Sequence, residues 1–214
     1  MCIRDRDTII DWAQDRFGAL TPDQKVLLLS VMYRMYKGSI GRCYGFTGGE
    51  IYYINHPEKL SELYECAYDL REDDMNVIRE MDYIQNDIVF ANYLSGRIDI
   101  EKEQDGAALD KELARIKQSI RENRAIIIGY ISSRMHHSMV VYGFFENMYR
   151  DSITLLTANN WEREQDNNIF SEDAENIVIK FESGRPDLSW YDVTKKRYRY
   201  PRKIFAIEPQ TRYT

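Results

Sequence analysis

The chain is poor in cysteine. Its three cysteines, Cys2, Cys43 and Cys66, cannot build a disulfide framework. Histidine is just as scarce, with His56, His136 and His137 only. None of them stands in a histidine–cysteine–carboxylate cluster with ligand spacing, so neither a metal nor a cofactor is expected. Long apolar runs are missing too, and nothing approaches the roughly 20 residues of a membrane span. Positive charge is in the minority, at 29 Lys+Arg against 35 Asp+Glu, for a formal net charge of -6. That balance argues against broad attraction to nucleic acid or anionic membrane. What is present is ordinary for a soluble globular protein: 43% hydrophobic and 30% charged residues. A chain of 214 residues suffices for one domain or for two halves sharing an interface.

Residues 1–6, Met1-Cys2-Ile3-Arg4-Asp5-Arg6, read like a translated sequencing adapter, a non-native start. Cys2 is therefore set aside, and secreted, cell-surface and cytoplasmic locations all stay open. Residues 7–123 read as helical. Asp7 to Phe17 forms a short amphipathic helix through Ile9, Ile10, Trp12 and Phe17. Thr21-Pro22-Asp23-Gln24 is a capping box with proline at the first helical position, followed by an apolar face of Val26, Leu27, Val31, Met32 and Met35. A helix follows Cys43, with Thr47-Gly48-Gly49 allowing close approach to a neighbouring sheet or else breaking it. Leu60, Leu63, Tyr64 and Ala67 share one face, with Cys66 as packing material. Met75, Ile78, Met81, Ile84, Ile88 and Ala91 mark a long helix after the acidic run Glu72-Asp73-Asp74. A polar linker, Asp99 to Gly106, leads to Leu109, Leu113, Ile116 and Ile120 on one more helix.

From residue 124 to 214 the period is that of strands. Ala125 to Ile131, His137 to Phe145, Ser152 to Thr157 and Glu175 to Phe181 are expected strands, with shorter ones at Trp190 to Val193 and Ile204 to Ile207. Lys195-Lys196-Arg197-Tyr198-Arg199-Tyr200 interleaves basic and aromatic residues. In an acidic chain it reads as an edge strand with arginines out and tyrosines in, rather than as a nucleic-acid site. Helices first and strands afterwards imply an α+β fold, two lobes meeting along a cleft as one catalytic domain.

The chemistry centres on Gly41-Arg42-Cys43-Tyr44-Gly45-Phe46, a cysteine at a helix start. A free thiol with a pKa of ~8.5 is only about 3% thiolate at pH 7. A helix N-terminus contributes up to ~2 kcal/mol, roughly 1.5 pKa units. A neighbouring imidazolium supplies the rest and returns the proton to a leaving amine. His136 and His137 compete for that role and point to opposite faces of a strand. His137 shares its face with Met139, Val141 and Gly143, and His136 with Ser138, Val140 and Tyr142, so apolarity does not decide between them. His56, before a proline, reads as a helix-end residue.

The nucleophile segment resembles the Gly-Ser-Cys-Trp-Ala-Phe run of papain-like cysteine peptidases. His137-Ser138-Met139-Val140-Val141-Tyr142-Gly143-Phe144 resembles that family's His-Ala-Val run ending in Gly-Tyr. Leu155-Leu156-Thr157-Ala158-Asn159-Asn160-Trp161 resembles its strand ending in Asn-Ser-Trp. The order from Leu109 to Gly143 is also similar to bacterial C39-like peptidases. The resemblance implies a papain-like α+β fold, with a helical N-terminal lobe carrying the nucleophile helix and a strand-rich C-terminal lobe of antiparallel sheet or half-barrel. It implies a Cys43–His137–Asn159 catalytic triad that hydrolyses peptide or related amide bonds, and Trp161 shielding the Asn159–His137 hydrogen bond. The family's oxyanion glutamine stands six positions before the nucleophile, where this chain has Lys37. The oxyanion hole would then combine the Lys37 ammonium with the Cys43 backbone N–H. The expected partner is a peptide or protein substrate. Two other functions fit the same segments: a cell-wall amidase or transpeptidase, and a papain-fold peptide-binding module without activity.

Overall fold

The computed structural model describes residues 6–35, 42–56, 58–59, 75–95, 104–131, 136–147, 151–158, 177–182, 185–192 and 197–207. Among these lie five helices: α1 (Arg6–Phe17), α2 (Pro22–Met35), α3 (Cys43–Asn55), α4 (Met75–Leu94) and α5 (Gly106–Arg121). Seven strands follow: β1 (Ile126–Ile131), β2 (His136–Glu146), β3 (Ser152–Ala158), β4 (Ile177–Glu182), β5 (Arg185–Asp192), β6 (Arg197–Arg199) and β7 (Lys203–Ile207). The protein is therefore α+β in the order expected. The expected helix through Leu60 and Cys66 and the Glu72-Asp73-Asp74 run lie outside the described residues.

The chain divides into two compact units, one with α1 to α4 and one with α5 and the strands. The sequence grouping of residues 7–123 put α5 with the helices. Its apolar stripe explains the difference, because Leu109, Leu113 and Ile116 are core residues of the sheet's own unit.

In the helical unit, α1 and α4 pack through aromatic rings. Trp12 meets Phe17 and Phe90 edge-on at 5.9 and 5.7 Å between centroids. The Trp12 indole N–H donates to Asp87 Oδ1 at 3.1 Å, and Arg16 Nε lies 3.4 Å from the same oxygen. That buried carboxylate is thus both hydrogen-bonded and charge-paired, as burial of a charge demands. The capping box ahead of α2 forms as read: Thr21 N donates to Gln24 Oε1 at 2.8 Å and Gln24 N to Thr21 Oγ1 at 3.3 Å. Thr21→Ala removes this cap, and a loss of about 1 kcal/mol in urea unfolding is the expected result. The apolar face assigned to α2 is only partly inside. Met32 is buried, but Val26 and Leu27 are each 65% exposed.

In the other unit the strands form one antiparallel sheet in the order β6-β5-β4-β3-β2-β1-β7. The outermost strands β6 and β7 are nevertheless joined by Tyr200, Pro201 and Arg202 alone. Such a connection spans roughly 14 Å at most, whereas the edges of a flat seven-stranded sheet would lie roughly 29 Å apart. The sheet must therefore curl into a half-barrel. Ile126, Ile128, Tyr130, Met139, Val141, Ile153, Leu155, Ile177, Ile179 and Ile204 cover one face and meet α5 there. The β7 edge is closed by side chains: Gln104 bonds both Ile204 N and Ile204 O, at 2.9 and 2.7 Å, and Glu112 accepts from Ala206 N at 2.8 Å. Part of the expected polar linker thus caps an edge that would otherwise invite another strand. At the opposite edge β6 confirms the edge-strand reading but not its orientation. Tyr198 and Tyr200 are 60% and 63% exposed, so the tyrosines face out.

Candidate functional site

Cys43 is the first residue of α3, buried and carrying a thiol rather than a disulfide. The Arg42 side chain, at the N-cap, makes no capping hydrogen bond to this helix start. The position of the helix start is fixed instead by α4. The Arg42 guanidinium, one residue ahead of the thiol, grips Asp82 with two bonds, Nε to Oδ1 at 2.5 Å and Nη2 to Oδ2 at 3.1 Å. Gly45 N donates to the buried Gln85 Oε1 at 3.3 Å. That bond satisfies one of the first-turn N–H groups for which a helix has no carbonyl of its own. Thr47 Oγ1 donates back to the Cys43 carbonyl at 2.7 Å.

The glycines act differently from the reading. α3 runs unbroken through Thr47-Gly48-Gly49, and its close approach is to a helix, not to a sheet. A Cβ on Gly45 would fall 2.1 Å from the Met81 carbonyl oxygen, and one on Gly49 would fall 2.6 Å from the Met81 sulfur. The helix ends at His56, whose N–H donates to Tyr52 O at 2.8 Å, in keeping with its reading as a helix-end residue.

The two strand histidines lie on opposite faces of β2. His137 pairs across the ladder with Tyr130, their rings 5.6 Å apart and nearly perpendicular. Strand alternation puts it with Met139 and Val141, on the face that carries the α5 core. His137 is 0% exposed. His136 is 6% exposed and alternates onto the other face, with Ser138 and Val140. Burial holds the His136 imidazole below the usual histidine range, because it disfavours the charged form. The strand leading towards Asn159 ends at Ala158, which pairs with Val140 of β2. Asn159, Trp161 and Lys37 themselves lie outside the described residues.

A further titratable residue of α3 lies on the same helix face as the thiol. Glu50 follows Cys43 by two turns, and Cys43, Thr47 and Glu50 share a face at i, i+4 and i+7. Burial pushes its carboxyl up to about 7. At about 1.5 Å per residue it lies roughly 10 Å along the axis from the thiol, too far to touch the same reacting atom. The spacing was visible in the sequence; the burial was not.

Among the described residues no helix is long and apolar enough to cross a membrane. Compared with protein-family models, curated proteins and solved structures, the chain matches none.

Proposed function

We propose that this protein is a papain-like thiol hydrolase acting on peptide or related amide bonds, with Cys43 as nucleophile and a histidine of β2 as its base. The observation that supports it is the place of Cys43, at the N-terminal end of a helix whose first turn is pinned to α4 through Arg42 and Gly45. The positive end of that helix favours a thiolate over a thiol. The thiolate attacks the substrate carbonyl carbon, and the carbonyl π electrons move to oxygen. Collapse of the tetrahedral intermediate expels the amine, which takes its proton from the imidazolium. The neutral imidazole then deprotonates water, which attacks the thioester, and departure of the thiolate restores the starting state. The Cys43 backbone N–H is one oxyanion donor and the Lys37 ammonium the second. Asn159 orients the imidazole and Trp161 covers that hydrogen bond.

The resemblance assigns the base to His137. A second assignment, His136, is favoured by its face, which shares none of the α5 core, although its burial disfavours the imidazolium that the thiolate needs. Turnover of a peptide amide separates them. His137→Ala is expected to lower kcat/KM by about 10²-fold or more, the usual contribution of a general base, with His136→Ala within about tenfold of the parent. The reverse pattern moves the base to His136, and full activity in both variants, or in Cys43→Ser, removes the proposal.

A further inference from the structure

In the helical unit, α1, α3 and α4 enclose an open cavity of about 440 Å³ that the thiol chemistry does not use. Trp12, Tyr52 and Tyr83 give it aromatic walls, and Asp15, Glu80 and Arg79 give it charge. Tyr83 Oη donates to Asp15 Oδ2 at 3.1 Å, and Tyr53 Oη donates to Glu80 Oε2 at 2.6 Å, so both carboxylates are held in place by phenols. Arg79 is exposed. Its guanidinium carbon stands 5.6 Å from the Tyr83 ring centroid, and its Nη2 reaches Tyr83 Oη with one long bond of 3.4 Å. The cavity rim thus already seats a guanidinium, but weakly and in full contact with water.

We propose that this cavity binds the arginine side chain of a basic peptide, which takes the place of Arg79 on the Tyr83 ring. The charges select a cation. Two carboxylates line the cavity against one guanidinium, and Asp11 adds a third negative charge close enough to act on Arg79. The aromatic walls select arginine among cations. A planar guanidinium stacks on a phenol ring and offers a fork of donors to carboxylate oxygens, while its aliphatic stem covers apolar surface such as Tyr52. The acidic chain as a whole, at -6, speeds the approach of such a peptide. None of this depends on Cys43, so binding and turnover succeed or fail separately.

The test is calorimetric titration of the whole chain with N-acetylarginine methylamide and with its citrulline analogue, which has the same shape without the charge. Arginine should bind at least tenfold more tightly than citrulline. Tyr83→Leu and Glu80→Gln should each weaken it at least fivefold, and Arg79→Ala should tighten it by removing the internal competitor. Where either weakening variant loses its far-ultraviolet circular dichroism, the exposed Asp15→Asn takes its place. Equal binding of the two probes, no binding of either, or an arginine affinity unmoved by the folded variants overturns the proposal.

Discussion

Glu50→Gln stabilises the protein by about 3 kcal/mol at pH 8 and by less than about 1 kcal/mol at pH 5. The carboxyl titrates near 7 in the folded chain against an ordinary value of 4.5, because burial disfavours its charged form. Between those two values the folded state holds a proton that the unfolded state has released. Stability therefore falls as pH rises through this window, and the whole penalty is in force above pH 7. Below about pH 4.5 the carboxyl is neutral in both states, and the glutamine gains nothing. Urea unfolding of parent and variant across pH 5 to 8 checks this. A pH-independent difference between them would mean that Glu50 is not the group whose charge is being buried.

Gly45→Ala acts through space rather than charge. The added methyl lands 2.1 Å from the Met81 carbonyl oxygen, an atom that no side-chain rotation can move. α3 and α4 must separate, and the Gly45–Gln85 hydrogen bond stretches with them. A loss of about 3 kcal/mol is expected, the upper part of the overpacking range. Gly106→Ala is the control, since nothing lies within 4 Å of its added Cβ. It should leave the unfolding midpoint unchanged or slightly raised, as alanine is the better helix former. Equal losses in the two variants would show that helix propensity, not the α3–α4 approach, governs Gly45.

Local signals in the sequence were reliable where a single element decides the structure. The capping box at Thr21, the α5 stripe from Leu109 to Ile120 and the run from Ala125 to Ile131 each depend on short-range spacing. Readings failed where a neighbour decides. Val26 and Leu27 have helical spacing, but which side of α2 is covered depends on elements distant in sequence, and these two stay exposed. Tyr198 and Tyr200 fit an inward face only if β6 were covered, and it is an outer strand. The glycines announced a close approach without naming its partner, since α4 begins at Met75 and its Met81 carbonyl has no sequence signature. At the candidate site, the sequence placed Cys43 at a helix start, which needs only local pattern. It separated His136 from His137 by strand alternation, but not by which face carries the α5 core, because that depends on the barrel's curl.

The proposed function requires that Cys43 be an ionised nucleophile held by a histidine. Its most direct measure is the rate at which iodoacetamide alkylates Cys43 at pH 6, followed by mass spectrometry of the Cys43 peptide. An unassisted thiol with a pKa of ~8.5 is less than about 1% thiolate at that pH. A thiolate stabilised by imidazolium and by the helix terminus should react at least tenfold faster than Cys66 in the same chain. Removal of the base histidine should bring the rate down to that of Cys66. A Cys43 rate equal to that of Cys66 in the parent, unchanged in both His136→Ala and His137→Ala, would rule out a thiol hydrolase and leave Cys43 as a packed core residue.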